Sequence, residues 1–183
     1  MRDLFDTLFD TALWLLLWGI AIYTVLTVGT YVAYAEEALT HDEQVVALTL
    51  LGEARGEGSA GMYAVACVIQ NRAAKGNKSL VQVCLADKQF SIWNNGKTTK
   101  DLKHLWGSPS APYAIKLARA MCKGHKLVQS YTGNADHYYS SKIRKEPPYW
   151  AFIITKINGE KVKKPIKPSK VIGYHVFYKL KEN

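Results

Sequence analysis

The chain has 183 residues, of which 24 are Lys or Arg and 15 are Asp or Glu, and its formal net charge is +9. Beyond an apolar N-terminal segment, residues 36–183 are enough for one domain with a sizeable core. The three cysteines, Cys67, Cys84 and Cys122, form no CxxC pair and no zinc-binding spacing with histidine, so neither a metal nor another cofactor is expected. Their odd count argues against a complete disulfide framework. One bridge with a free thiol and three buried thiols are both open alternatives.

The positive charge is concentrated in the second half of the chain. Residues 138–183 contain eleven Lys or Arg and only three Glu. Such a domain is expected to attract polyanions, which include nucleic acids, anionic lipid headgroups and acidic wall polymers. Charge alone does not choose among them, and a solvated basic surface without a partner is also compatible with this composition.

An uncharged segment of 25 residues runs from Thr11 to Ala35. As a helix it spans roughly 37 Å, more than the roughly 30 Å of a bilayer's hydrocarbon core. We therefore predict a membrane-anchoring domain over residues 1–35 and an outer domain over residues 36–183. The alternative is a signal peptide cleaved after Ala35, although the acidic N-terminus and the length of the apolar run favour an uncleaved signal anchor. Both alternatives place residues 36–183 outside the cytoplasm, either anchored to the membrane or secreted.

Capping signals and apolar periodicity predict helices over the first part of the outer domain. A T-x-x-E capping box at Thr40 begins the first helix, and the glycines between Gly52 and Gly58 end it near Gly56. Glu53 then lies in the last turn. The other predicted helices run from Ala60, with Ser59 as its cap, to about Lys75; from an S-x-x-Q capping box at Ser79 to about Ala86; and from about Pro112 to Lys123.

The last third of the chain has the alternation typical of strands. Strands are predicted over 135–140, over 150–157 and 160–164, and over 171–180. Asn158-Gly159 between the second and third is a strong signal for a type I′ hairpin. Helices followed by a small antiparallel sheet predict an α+β fold.

Glu53 is the candidate for acid catalysis. It follows the apolar Leu50-Leu51 and precedes a glycine-rich turn, so one side of it should face the core and the other a groove. Partial burial raises the pKa of a carboxyl group, which keeps a general acid protonated near neutral pH. Glu57, four residues on, would share its helix face if the helix continued. The spacing alone favours two ordinary surface glutamates at a helix end.

Several ordered motifs together resemble the SleB-type cell-wall hydrolases, the family of spore cortex-lytic enzymes. The chain carries GEARGEG at residues 52–58 and G-x-x-A-V-A-x-V-I-x-N-R at residues 61–72. It continues with Q-F-S-x-W at 89–93, G-N-A-D-H-Y at 133–138, P-x-W at 148–150 and I-G-x-H-x-F-Y at 172–178. Two positions depart from the family pattern: Ile92 stands where relatives often have Cys, and Tyr174 where Asn is usual.

The resemblance implies a lysozyme-like domain, similar to lytic transglycosylases, that cleaves the β-1,4 bond between N-acetylmuramic acid and N-acetylglucosamine in peptidoglycan glycan strands. Glu53 matches the family's catalytic glutamate. In a transglycosylase one carboxylate suffices, because the muramic C6 hydroxyl is the nucleophile. A hydrolase would usually need a second carboxylate, for which Glu57 and Asp136 are the candidates.

The remaining matched residues are candidates for substrate binding. Polar side chains are expected to hydrogen-bond sugar hydroxyl and acetamido groups, and aromatic rings to pack on pyranose faces or else to lie in the core. His137 is either a ligand or a structural histidine. The predicted substrate-binding set is Glu57, Gln89, Phe90, Ser91, Trp93, His137, Tyr138 and Tyr139.

Three classes of function fit these observations. The first is a peptidoglycan-cleaving enzyme held at a membrane by residues 11–35, either a phage endolysin or a bacterial wall-remodelling enzyme. The second is a wall-binding module without activity, against which the intact Glu53 and Q-F-S-x-W motif argue. The third is a membrane-tethered nucleic-acid binder, but no nucleic-acid partner is expected.

Overall fold

The computed structural model describes Trp14 and residues 16–23, 38–157 and 160–180. The chain divides into two units, Met1–Leu39 and Thr40–Asn183. In the first unit, Trp14 and residues 16–23 are helical and exposed. Within the described ranges, no helix combines the length and the hydropathy that crossing a bilayer requires. Most of the predicted anchor at 11–35, together with the alternative cleavage site after Ala35, lies outside the described residues, so both stay predictions.

The second unit begins with a buried central helix, α1, over His41–Ala54. Its capping box is confirmed: Thr40 Oγ1 accepts from the Glu43 amide, and a Glu43 carboxylate oxygen accepts from the Thr40 amide at 2.9 Å. Residues 45–51 are all fully buried, which is typical of a helix enclosed by its neighbours. The helix ends at Ala54 and a short 3₁₀ turn, Arg55–Glu57, follows, so Glu53 lies in the last turn as predicted.

Three further helices pack around α1. They are α2 over Gly58–Gly76, α3 over Leu80–Cys84 and α4 over Ala111–Cys122. The predicted capping box at Ser79 is confirmed, and Asn77 ends α2 in the left-handed conformation. The prediction that Ser59 caps α2 was wrong: the helix begins one residue earlier, at Gly58, and its N-cap residue Glu57 makes no side-chain capping bond.

The strands form two small antiparallel sheets. The first has the order β1 (His137–Ser140), β5 (His175–Tyr178), β4 (Lys170–Ile172), and the second pairs β2 (Phe152–Ile157) with β3 (Glu160–Pro165). The β2–β3 pairing of Ile157 with Glu160 agrees with the predicted hairpin, whose Asn158-Gly159 turn lies outside the described residues.

The single strand predicted over 171–180 was wrong, because the chain reverses at Gly173 and Tyr174. Ile172 pairs with His175, and Gly173 has φ +56°. A positive φ at the first central residue of a two-residue loop is typical of a type II′ hairpin turn, which glycine adopts without strain. The alternation across this turn therefore belongs to two strands, β4 and β5.

The predicted α+β class, with helices first and antiparallel sheets after them, is confirmed. The main core surrounds α1, and a second cluster packs Phe177 of β5 and Ala135 against Ala64 and Val68 of α2. This packing places β5, and β1 paired with it, beside α2. Cys67, Cys84 and Cys122 are all free thiols, which excludes the alternative with one bridge; Cys67 and Cys84 are buried as the other alternative predicts, and Cys122 is half-buried. The lysozyme-like assignment stays a prediction.

Candidate active site

A groove of about 1070 Å³ opens between the end of α1, the segment over residues 88–94, and the sheet that contains β1 and β5. Its walls carry five cationic side chains and, among the residues that the structure describes, two carboxylates. The groove-lining residues are Gly52, Glu53, Arg55, Gly56, Glu57, Arg72, Lys88, Gln89, Ser91, Asn94, Tyr138, Tyr139, Ser140, Lys142, Ile143, Arg144, Pro148, Trp150 and His175.

Glu53 is half-buried in this groove and accepts hydrogen bonds from two elements far apart in sequence. The Tyr138 hydroxyl on β1 donates to Oε2 at 2.9 Å, and Ser91 Oγ donates to Oε1 at 3.4 Å. Both oxygens are thus oriented, and the carboxyl group has a defined position in the groove. A fixed carboxyl group is what a general acid requires.

The local environment changes the pKa of Glu53 in two opposing ways. Burial raises it above its ordinary value, while the bonds from Tyr138 and Ser91 and the backbone at Ser91 and Ile92 oppose the rise. The net direction is upward, which favours the protonated acid. The pKa of Tyr138 is raised well above its ordinary value by burial and by the neighbouring Glu53, so its hydroxyl stays protonated and remains a donor.

Close packing against α1 places Ser91 beside Glu53. A 3₁₀ segment over Ser91–Gly96 lies on the helix at Gly52, where an added Cβ would stand 2.0 Å from Ile92 Cδ1. Only glycine leaves room for Ile92 at this distance. Trp93 also holds the segment, because its indole Nε1 donates to Thr49 Oγ1 at 2.9 Å.

Tyr138 is oriented by strand pairing and by the rings on its own face of the sheet. It stands opposite Phe177 of β5, which is fully buried. The Tyr138 ring centroid lies 5.6 Å from that of Phe177 and 5.0 Å from that of His175. Because adjacent strand residues point to opposite faces, His137 and Tyr139 point away from Tyr138.

Asp136 does not line the groove, which removes it as a second carboxylate beside Glu53. It is 3% exposed and accepts hydrogen bonds from Lys75, from His137 Nδ1 at 2.9 Å and from the Leu180 amide at 3.0 Å. Burial by itself raises the pKa of Asp136, but these partners outweigh it and hold the pKa below its ordinary value. The group is a structural anchor for the sheet.

Glu57 lines the groove but is already bound to the backbone. Its Oε2 accepts from the Tyr174 amide at 2.9 Å, in the β4–β5 turn. An added Cβ on Gly173 would stand 2.0 Å from the same oxygen, so the glycine permits this contact. Glu57 therefore fastens the turn beside the groove.

Residues 56–178 match the family model described as cell wall hydrolase, which is more than half of the chain. The chain belongs to the cell wall hydrolase family. The match includes Ser91, Tyr138 and most of the groove, and it begins three residues after Glu53. Comparison with curated proteins and with solved structures gave no match. The family supports a hydrolytic enzyme that acts on the cell wall, with peptidoglycan as its substrate.

Phe90 and Trp93 are not brought to the groove of this cell wall hydrolase. Phe90 is 1% exposed and Trp93 is 9% exposed, and both belong to the main core. Their edges reach a separate cavity of about 400 Å³, formed with residues 85–88 and 94–96. Burial favours the core alternative over sugar packing, because a ring enclosed by protein cannot stack on a pyranose. Their part in the site is indirect, through the position of Ser91.

The other predicted binding residues of the hydrolase divide into two groups. Gln89, Ser91, Tyr138 and Tyr139 line the groove with Glu53. His137 does not: its Nδ1 is bonded to Asp136, and its ring lies against Trp150 with centroids 5.2 Å apart. The structure thus favours the structural alternative for His137.

The groove of the hydrolase also contains Trp150, His175 and Arg72, which the predicted substrate-binding set leaves out. Trp150 and Tyr139 place aromatic rings at the groove, where Phe90 and Trp93 do not reach. The centroids of the Trp150 and Tyr139 rings are 6.4 Å apart. His175 is buried under Tyr138, and burial lowers its pKa although the Glu57 charge opposes the change. Arg72 also lines the groove. All three stand in the matched motifs, which was the available signal.

Arg72 is held by contacts that use only part of its guanidinium. Its Nε donates to the Asp136 carbonyl at 2.6 Å, and its Cζ lies 5.4 Å from the Phe90 ring centroid. Nη1 is buried without a hydrogen-bond partner. Burial lowers the pKa of Arg72, and the nearby Tyr138, Asp136 and Glu53 oppose that change. A guanidinium stays charged, so a cation faces the groove near the candidate acid.

Proposed function

We propose that this cell wall hydrolase cleaves the β-1,4 bond between N-acetylmuramic acid and N-acetylglucosamine, as a lytic transglycosylase with Glu53 as its acid and base. The observation that carries the proposal is the half-buried Glu53 in the groove, oriented by Tyr138 and Ser91 and with its pKa raised by burial. A protonated, oriented carboxyl group suits attack on a glycosidic bond.

The reaction needs one carboxyl group in two protonation states. Glu53 donates its proton to the glycosidic oxygen as the bond to the muramic C1 breaks. The muramic C6 hydroxyl oxygen then bonds to C1, and its proton passes to the Glu53 carboxylate. A 1,6-anhydro ring forms, no water is consumed, and Glu53 ends protonated again.

The number and bonding of the carboxylates in the groove support transglycosylation over hydrolysis. A hydrolase with two acids needs the second one free to activate water or to attack C1. In the described part of the chain, Glu57 is the other groove carboxylate, and it accepts from the Tyr174 amide. A muramidase-type hydrolase remains the second candidate, because Glu57 does reach the groove wall.

Product analysis tests the proposal. Purified peptidoglycan is digested with the full-length chain, and the soluble fragments are examined by mass spectrometry with and without borohydride reduction. Anhydro-muropeptides that resist reduction are the expected products. Reducible muramic ends would instead show hydrolysis. Wall binding without any fragments would overturn the enzymatic proposal and leave the wall-binding module.

We also propose that residues 11–35 anchor the chain in a membrane and that the hydrolase domain acts outside the cytoplasm. The support is the uncharged length of this segment, together with a substrate found in the wall. Protease added to intact cells is expected to degrade the domain over residues 36–183. Full protection in intact cells, lost on lysis, would contradict this location.

A further inference from the structure

The cations of the groove are largely uncompensated. Its five cationic residues are Arg55, Arg72, Lys88, Lys142 and Arg144. Lys88 lies 4.0 Å from Asp87, whereas the other four have no carboxylate partner within 4.0 Å in the described part of the chain. This groove is therefore a basic surface and not a set of internal ion pairs.

Two of these cations, Lys142 and Arg144, lie on a turn with a defined conformation. The Ser140 carbonyl accepts from the amides of Ile143 at 3.2 Å and Arg144 at 2.9 Å. The Ser141 amide and hydroxyl both donate to the Tyr174 carbonyl, at 2.8 and 2.9 Å. Ser141 thus joins the segment over residues 141–144 to the β4–β5 turn. Glu57 binds the same turn through the Tyr174 amide.

Lys142 is positioned further by its own side chain. Its Nζ lies 5.5 Å from the centroid of the Tyr174 ring, a cation–π contact, while both Lys142 and Arg144 stay exposed at the groove. The Lys142 charge is held near the groove before any ligand arrives, and the backbone bond of Arg144 fixes where its side chain leaves the turn. Preorganised charge loses less entropy on binding than charge on a mobile loop.

The chemistry of the glycan strand does not by itself account for these cations. In a strand that carries its stems, the lactyl carboxyl group of each muramic residue is bound as an amide, so the sugars are uncharged and are bound by hydroxyl and amide groups and by aromatic rings. The negative charges of peptidoglycan are the carboxylates of the peptide stems, which are joined to the lactyl group of the muramic residue. The sugars of a stem-bearing strand therefore offer no anionic partner for the cations of this groove.

We propose that Lys142 and Arg144 form a carboxylate-binding subsite for the peptide stem, so that this hydrolase selects glycan strands that still carry their peptides. The inference rests on the proposed function, because it assumes that the groove around Glu53 binds the glycan strand. Arg and Lys bind carboxylates through charge-assisted hydrogen bonds, and Lys142 and Arg144 line the same groove as Glu53.

The test compares two substrates and three double variants of the full-length chain. One substrate is peptidoglycan with its stems, and the other is the same material stripped of peptides by a muramoyl-alanine amidase, with the lactyl carboxylates that this frees converted to amides. Lys142→Ala/Arg144→Ala removes the subsite, and Lys142→Arg/Arg144→Lys keeps its charge. Lys156→Ala/Lys161→Ala removes the same charge from β2 and β3, where both lysines are exposed and outside the groove.

The wild type is expected to prefer the peptide-bearing substrate. Lys142→Ala/Arg144→Ala should lower kcat/KM on it by about five- to tenfold, mainly through KM, and leave cleavage of stripped strands unchanged. The charge-retaining variant should keep most of the preference, and the β2–β3 control should behave as wild type. Equal losses on both substrates, or no loss on either, would overturn the proposal.

A binding measurement separates this inference from the proposed function. Co-sedimentation with intact and with stripped wall material is read for the same proteins, independently of any cleavage. If no fragments form but the subsite variant alone loses its preference for intact material, the subsite stands and the catalytic proposal fails. If fragments form and binding shows no preference in wild type, the subsite fails and the catalytic proposal stands. Melting temperatures of all variants confirm that they are folded.

Discussion

The Tyr138 hydroxyl donates a 2.9 Å hydrogen bond to Oε2 of Glu53 across 85 residues of sequence. The bond joins β1 to the last turn of α1 and has two effects. It orients the carboxyl group, and it lowers a pKa that burial raises. Burial thus favours the protonated form of Glu53, yet its carboxylate is not left without a partner when the proton leaves. A group that acts first as acid and then as base needs both.

Tyr138→Phe removes this donor and leaves the ring in place. Because the hydrogen bond stabilises the carboxylate, its loss raises the pKa of Glu53 further. The basic limb of the pH dependence of kcat/KM should move to higher pH, and the optimum rate should fall by about tenfold as orientation is lost. Tyr139→Phe, one residue on and pointing to the other face, should leave the limb in place. A limb that moves to lower pH would contradict the assigned donor.

Glu53→Gln removes the acid with almost no change in shape. We expect kcat to fall by about 100- to 10,000-fold, the range typical of a lost general acid. Turnover is measured by release of soluble muropeptides, with Glu146→Gln as a matched control at an exposed glutamate outside the groove. Activity equal to wild type in Glu53→Gln would show that another group is the acid.

The same substitution should stabilise the folded protein at neutral pH. A carboxyl group whose folded pKa is raised makes the native state bind protons more tightly than the unfolded state, so its contribution is fully present below the ordinary value of 4.5 and is lost as the pH rises through the folded pKa. Denaturant unfolding should give Glu53→Gln a higher free energy of unfolding than wild type at pH 7, and the gap should close below pH 4.5. A gap that widens in acid would contradict the raised pKa.

Gly52→Ala should disturb the site through Ile92. The new Cβ would stand 2.0 Å from Ile92 Cδ1, so the segment carrying Ser91 must move away from Glu53. We expect a loss of about 1–3 kcal/mol in the free energy of unfolding, together with lower turnover. Ile92→Ala in the same chain should recover part of both, and a double-mutant cycle measures the coupling. Simple additivity of the two changes would show that they do not share this contact.

Asp136→Asn tests whether Asp136 is structural or catalytic. Loss of the charged partner of Lys75 and His137 should lower the free energy of unfolding at pH 7 by about 1–3 kcal/mol. Because its folded pKa lies below the ordinary 3.8, its contribution is present above that value and lost as the pH falls through the folded pKa. The deficit should therefore shrink in acid. The folded variant should still cleave, and a folded but inactive Asp136→Asn would restore it as a second catalytic carboxylate.

Local interactions explain what could be predicted from the sequence. The capping boxes at Thr40 and Ser79 connect residues three apart, and Gly58, with φ +66°, lies where the 3₁₀ turn after α1 meets α2. The position of Glu53 in the last turn and the pairing of β2 with β3 follow from such short-range signals. The order of the motifs predicted the family, because motifs are recognised from residue types alone and do not depend on positions in space.

Tertiary packing decided which side chains are buried and which face the groove, because short-range sequence signals do not contain that information. Phe90 and Trp93 stand beside Ser91 in sequence, but contacts with α1 bury them while Ser91 faces the groove. Tyr138 reaches Glu53 only because Phe177 packs β5 and β1 against α2. Side-chain direction and burial depend on partners 38 to 85 residues away, so a local pattern cannot determine them. The sequence by itself placed the candidate acid at the end of a helix, and the tertiary structure alone supplied the hydrogen bonds and the burial that set its pKa.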